Sequence, residues 1–443
     1  MSKQDVVTDA GPSRSDHQPR SDAASDPATA LGRWALSLHP DESDLDLAGR
    51  ALVDTLACVL AARGHRLEQV VGGLPDGVRW AALGHVLDFD DLHMESTAHV
   101  SVVCVPAALA ARGGIRSYLA AAGVMARLGA ALGWGHYTSG WHATCTAGAA
   151  AAAVAGAVAF GLDEQRTATA IALAVPAAGG VQRAFGTDGK SLQVGFAVDA
   201  GLRAARLAAA GATADPAALR EWIRLVAPEA TAPVLSGPAV PGGLAIKLFP
   251  CCYALQRPIA AVRSLRDGSW TADDVARVRV ATPAATVAPL LHHRPRTGLQ
   301  AKFSLEYAVA TAVLDDHPGF AVFEDAAVAR PRARELVERV KIATTPGGRG
   351  LLDGECAVEI ELRDGRRRAT SLALPPGAPG RPPTAHEFAA KLRDCGPDVV
   401  GLTDTMGADW AAAATLLRTA VPPAQTGIGD HRPTVQDRAV RDI

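Results

Sequence analysis

The longest apolar run in the chain, Ala147 to Leu162, consists mostly of Ala, Gly and Val. It is too short to cross a bilayer comfortably, and its small side chains let neighbouring helices approach closely. We read it as a buried central helix. Comparable runs surround it: Leu47 to Ala62, Val102 to Ala111, Ser117 to Leu132, Thr144 to Phe160, Glu164 to Val175 and Ser191 to Ala210. Each is dense in helix formers and closed by Gly, Pro or polar residues. A hydrophobic content of 48% carried by Ala, Val and Leu, with only 5% aromatic residues, suits closely packed helices and not an all-β fold.

The pattern changes near Asp267. Val275 to Val280 alternates apolar and polar residues, Val337 to Ile342 repeats the alternation, and Ala357–Leu362, Asp364-Gly365 and Arg367–Leu374 read as a hairpin. A helix over Ser304–Leu314 lies between the first two strands. A chain of 443 residues exceeds what one core usually supports. The expected fold class is therefore mainly α, a large multihelical domain plus a smaller α+β lid domain. The expected organisation is a disordered tail over 1–30, a helical domain over 31–266, the lid over 267–395, a C-terminal return to the helical domain over 396–421, and a flexible tail over 422–443. Residues 1–30 are polar and Pro-containing, with no signal-peptide or membrane-spanning core.

Charge and cysteine use narrow the function. Forty-four basic against 46 acidic residues leave no field that recommends nucleic acid or an acidic membrane, so a small molecule is the expected partner. The seven cysteines lack C-x-x-C, zinc-like or iron–sulfur spacing, which fits reduced thiols in a cytoplasm.

Four polar clusters interrupt the bland background. Leu87-Asp88-Phe89-Asp90-Asp91-Leu92-His93-Met94-Glu95-Ser96-Thr97-Ala98-His99 is dense in acids and histidines and leads into an apolar run. If Ser96 or Thr97 caps the next helix, His99 sits in its first turn, where the positive helix end keeps imidazole neutral and attracts an anion. Gly140-Trp141-His142 also sets a histidine before a helix of small residues. Lys190 follows two glycines at the opening of another helix, where a cation is locally unfavourable and points to ligand binding. Lys247 stands before Phe249-Pro250-Cys251-Cys252 in an apolar frame, and Lys302 opens a helix of the smaller domain. Taken singly, each also fits an ordinary role: a capping or packing histidine, a loop lysine, a lysine stem lying on apolar surface.

In this order the segments resemble the MmgE/PrpD family, which includes 2-methylcitrate dehydratase, cis-aconitate decarboxylase and iminodisuccinate epimerase. The resemblance covers about residues 35–420 and rests on Leu87–Asp91 with His99, Gly140–His142, Gly186-Thr187 with Lys190, Lys247 with Phe249–Cys252, and Ala301-Lys302-Phe303-Ser304-Leu305. It implies a helical domain with an α+β lid, usually a homodimer, without metal or iron–sulfur cluster. It makes His99 the proton donor or acceptor, Asp88 the carboxylate that orients the site, and His142 a second acid/base or carboxylate ligand. Lys190 and Lys247 bind substrate carboxylates, with Asp91, His93 and Lys302 counted in the substrate-binding set. The implied activity is a cofactor-independent lyase, dehydratase or decarboxylase, acting on a small di- or tricarboxylate. An epimerase or isomerase of a dicarboxylate, or a non-catalytic acid binder or repurposed biosynthetic enzyme, are the alternatives. The sequence departs from the family pattern at Leu92 (often threonine), Val100 (commonly proline), and Gln193 and Gln256 (histidine in many members), so the site is expected to differ from those of the best-known members.

Overall fold

In a computed structural model, residues 26–346, 348, 350–399 and 409–424 are described. The expected tail over 1–25, and the part of the C-terminal tail from 425 onward, lie outside them. Helix α1 (Pro27–Ser37) begins inside the segment expected to be disordered, with Asp26 capping it through the Ala28 N–H and Pro27 at the first helical position. The helices α2 (Glu42–Ala61), α3 (Arg66–Val71), α4 (Asp76–Val86), α5 (Ser101–Ala110), α6 (Ile115–Thr138), α7 (Ala143–Ala159), α8 (Glu164–Ala174), α9 (Asp188–Ala209) and α10 (Ala218–Val226) follow. The run that opened the sequence reading is α7, buried continuously from Ala143 to Ala157 and packed by α5, α6, α8 and α9. Small residues are what permit this. A Cβ on Gly201 of α9 would stand 2.5 Å from the Ala149 oxygen and from the Ala153 nitrogen, so the two backbones touch.

After α11 (Gln256–Ser264) the chain builds a four-stranded sheet from β1 (Val275–Pro283), β2 (Val340–Thr345), β3 (Cys356–Leu362) and β4 (Arg367–Leu372). The spatial order is β2-β1-β3-β4. β1 and β2 are parallel and the other pairs antiparallel. Between β1 and β2 run α12 (Ala284–Val287), α13 (Gly298–Ala301), α14 (Leu305–Leu314), α15 (Asp325–Val328) and α16 (Pro331–Arg339). The strand expected over Val337–Ile342 thus starts three residues later, because Leu336, Val337 and Val340 also satisfy helical spacing and α16 claims the first two. Val278, Val280, Val358 and Ile360 face α11, α14 and α16 in a second hydrophobic core.

The mainly α fold with a small α+β part is as expected. Two segments cross between the cores. Ala245 and Phe249–Val262 pack with the sheet, whereas Leu392 and Cys395, on or just after α17 (Ala385–Asp394), and Trp410 of α18 (Trp410–Ala420) pack with the helices. Lys391 of α17 makes a buried ion pair of 2.6 Å with Asp54 of α2 and donates at 2.7 Å to the Phe89 oxygen, bracing the acidic loop from behind. Among the described residues no helix is long and apolar enough to cross a membrane.

Candidate active site

The acidic loop runs from the end of α4 to the start of α5, and two of its residues are held in the left-handed region: Asp88 and Thr97, both at φ 55°. For a β-branched threonine this conformation is strained by about 1–3 kcal/mol, a cost that the surrounding structure must impose. Both residues line a narrow cavity of about 20 Å³ between the two cores. His99, Tyr137, His142 and Lys190 come to it from the helical side; Cys252, Tyr253, Phe303 and Leu351 close it from the other.

Asp88 is the charge centre. Its Oδ1 accepts from Lys247 Nζ at 2.7 Å and Lys190 Nζ at 3.2 Å. Burial pushes its carboxyl up, but the two ammonium groups outweigh burial and hold it below the usual carboxylate range. Lys247, fully buried, donates also to the Asp88 carbonyl at 3.0 Å and does not line the cavity. Expected to bind substrate, it gives two of its three N–H donors to Asp88 in this structure. Lys190 does face the cavity. Its awkward place in the first turn of α9 is explained by Asp88 and by His85 Nε2, 2.7 Å from its Nζ.

His99 lies two residues before α5, which begins at Ser101 with Val100 at its cap and no side-chain cap. The expected first-turn placement is wrong, because Asp91 Oδ1 accepts the Ser101 N–H at 3.0 Å and fills the helix end itself. His99 is nevertheless neutral, for a different reason. Burial pushes its pKa down to about 4, Asp90 opposes this, and Lys247 adds to it. Its Nδ1 is 3.0 Å from Asp90 Oδ2, so Asp90 and not Asp88 is its carboxylate.

His142 caps α7 without a side-chain bond. Its tautomer follows from Gln193, whose Oε1 accepts the Val181 N–H at 3.0 Å, leaving Nε2 to donate to His142 Nδ1 at 2.6 Å. Nδ1 is then an acceptor and the ring proton sits on Nε2. Burial, His85 and Lys190 all keep this imidazole neutral. Of the two glutamine departures, Gln193 therefore orients His142. Gln256 braces the loop after Lys247, accepting from the Leu248 and Phe249 N–H groups and donating to the Phe249 oxygen.

Asp91, His93 and Lys302, expected to bind substrate, do not line this cavity. His93 is saturated by Ser96 Oγ and the Pro241 oxygen at 2.8 and 2.7 Å. Lys302 ties the Leu87 and Pro250 oxygens together at 2.8 and 2.5 Å. Asp91 is raised to about 7 by burial and by Asp54, against the Ser101 hydrogen bonds. A carboxyl raised on folding supplies stability that is whole below its unfolded pKa near 4 and is lost as pH rises through 7. Asp91→Asn escapes that loss while keeping an acceptor for Ser101. Its advantage over the wild type in thermal or urea unfolding is expected to grow by on the order of 2 kcal/mol from pH 5 to 8. A constant difference over that range would show that Asp91 does not titrate there.

Sequence reasoning missed His85 and passed over Asp90. Fully buried at the end of α4, His85 places Nδ1 2.7 Å from Asp90 Oδ2. His85, Asp90 and His99 bring ligand-type atoms within 4.8 Å of one another. His85 Nδ1 and Asp90 Oδ2 already pair with each other, and Lys190 and Lys247 beside them oppose a further cation. All seven cysteines are free and buried, and burial pushes the Cys251 thiol well above its usual range and the Cys252 thiol up to about 11, which suits packing and not nucleophilic chemistry.

The MmgE/PrpD N-terminal domain model matches residues 78–223, and the MmgE/PrpD C-terminal domain model matches residues 249–414. The first match spans Asp88, His99, His142 and Lys190, and Lys247 lies just before the second. No curated protein matches the chain.

Proposed function

The chain belongs to the MmgE/PrpD family, and from that premise we propose that it is a lyase moving a proton next to a carboxylate of a small di- or tricarboxylate, most simply by loss of water and without a bound cofactor. The observation that carries the reading is the pairing, around one narrow cavity, of a neutral imidazole backed by a carboxylate with a lysine fixed 3.2 Å from a second carboxylate.

The chemistry follows from those positions. His99 Nε2, the ring nitrogen turned away from Asp90, takes the proton from the carbon beside the substrate carboxylate. The C–H electron pair becomes enolate-like charge on the carboxylate, which Lys190 stabilises. The pair then forms the carbon–carbon double bond as the C–O bond breaks. The departing hydroxyl takes the proton back from His99 and leaves as water, with His142 Nε2–H hydrogen-bonding to it. His99 ends neutral, and atoms balance. Leu92, Phe185 and Phe303 supply an apolar wall that excludes competing water.

Incubation of the purified protein with candidate hydroxy and unsaturated acids in D₂O, followed by NMR, tests this. A lyase gives a new alkene signal with release of water, or CO₂ with a shortened acid. Solvent deuterium in recovered substrate with neither product would move the assignment to an epimerase or isomerase. Absence of both exchange and product across the acids would overturn the catalytic reading. The same preparation, weighed in solution, tests the homodimer that the resemblance implies.

A further inference from the structure

His85 does not line the cavity, yet it is fully buried and touches both halves of the proposed machinery. Its Nε2 lies 2.7 Å from Lys190 Nζ, and its Nδ1 2.7 Å from Asp90 Oδ2. An ammonium can only donate, so Nε2 must accept and the single proton of neutral His85 must sit on Nδ1, donated to Asp90. The same Asp90 oxygen lies 3.0 Å from His99 Nδ1. That contact lies outside hydrogen-bond geometry, but a carboxylate oxygen facing a ring nitrogen at 3.0 Å repels a lone pair and so favours the His99 tautomer with its proton on Nδ1. Among the described residues no protein group hydrogen-bonds His99 Nε2, so that nitrogen is free to act as a base. The charged and titratable groups facing His85 are Asp90, Lys190 and Asp88, with the His99 and His142 rings at 4.7 and 5.7 Å between centroids.

We propose that His85 is a positioning residue. It closes a one-directional hydrogen-bond chain, Lys190 to His85 to Asp90, which fixes the tautomer of His99 and shares the Asp90 charge so that His99 is not held as imidazolium. The chain also links the lysine that meets the substrate carboxylate to the base that takes its proton, over two hydrogen bonds and one bridging carboxylate oxygen. The role of the chain rests on the proposed proton transfer, but its geometry does not.

Two substitutions separate the chain from general packing. In His85→Asn the amide nitrogen stands near the place of Nδ1 and still donates to Asp90, although the Lys190 contact is lost. His85→Leu removes both contacts and leaves Asp90 to His99 alone. Long-range ¹H–¹⁵N NMR of ¹⁵N-histidine-labelled full-length protein, titrated without substrate, reads the tautomer and titration of His99 directly, with His99→Asn supplying the assignment. We expect a pyridine-type Nε2 in the wild type and in His85→Asn. In His85→Leu, or in His85→Ala if the leucine variant does not fold, we expect the His99 titration to rise by about one pH unit. Where turnover is found, the acid limb of kcat/KM should rise with it and return in His85→Asn. A His99 titration that ignores His85→Leu, or the same shift in both variants, overturns the proposal. If His99 responds as expected while no acid is turned over, the lyase reading fails and the chain stands.

Discussion

Exchanging His99 for asparagine is expected to lower kcat/KM by about 1000-fold, the middle of the range for loss of a general base, with little change in the unfolding midpoint. Asparagine is the informative choice because its amide nitrogen reproduces Nδ1. It keeps an N–H facing Asp90 Oδ2 and removes only Nε2. Glutamine or alanine would also remove the N–H that faces Asp90 Oδ2, while Asp90 Oδ1 is already without a partner. The pH dependence provides an independent check. With the folded pKa of His99 near 4, below the ordinary 6.5, the base stays unprotonated across the neutral range, so activity persists below pH 6 and falls only as pH approaches 4. The linked stability has the same sign. His99 is lowered on folding, as are His85 and His142, so the stability they support is present above pH 6.5 and is lost as pH falls through their folded values. An asparagine variant retaining a tenth or more of wild-type kcat/KM would place the base elsewhere, with His142 the next candidate.

The residues that reach the cavity were largely legible, because His99, His142 and Lys190 each break an apolar or glycine-rich run just before or at a helix start, and such breaks are visible along the chain. Three-dimensional partners were not. His85 sits in the last turn of α4, where a histidine is an ordinary helix-end residue, and nothing local says that Asp90, five residues on, folds back to its Nδ1. Lys391 stands 302 positions from the oxygen it binds, in a helix whose amphipathic pattern hides a buried ammonium. The opposite error arose where local density was read as chemistry. Asp91 and His93 share the acidic loop with Asp88, but turning the chain through the left-handed Asp88 sends successive side chains in different directions, so Asp91 caps α5 and His93 pins the Pro241 segment. Fold class was easier, since a continuous Ala-rich run admits few structures. Boundaries were harder wherever one set of apolar residues satisfied two periods, as from Leu336 to Val340.

Removal of Lys247 carries the largest expected effect on stability. Its ammonium is completely buried and gives its two observed hydrogen bonds to one residue, the Asp88 carboxylate and carbonyl. Lys247→Met preserves most of the volume but strips Asp88 of its nearer cation and leaves only Lys190 at 3.2 Å. Breaking one side of a buried ion pair costs about 3–5 kcal/mol, and with Lys190 still paired to Asp88 the loss is expected at the lower end of that range. The urea midpoint should fall accordingly, and the Asp88 carboxyl, no longer held low, should take up a proton at higher pH. A second change discriminates charge from packing. Asp88→Asn in the Lys247→Met background removes the stranded charge while keeping the shape of the loop, so at least half of the lost stability should return even though the site, without its central carboxylate, stays inactive. If Lys247→Met unfolds at the wild-type urea concentration, Asp88 is neutral in the folded protein and the electrostatic centre of the site must lie at Asp90. If the double variant is no more stable than the single one, the loss comes from packing of the lysine stem, and Asp88 is held in its left-handed conformation by the loop alone.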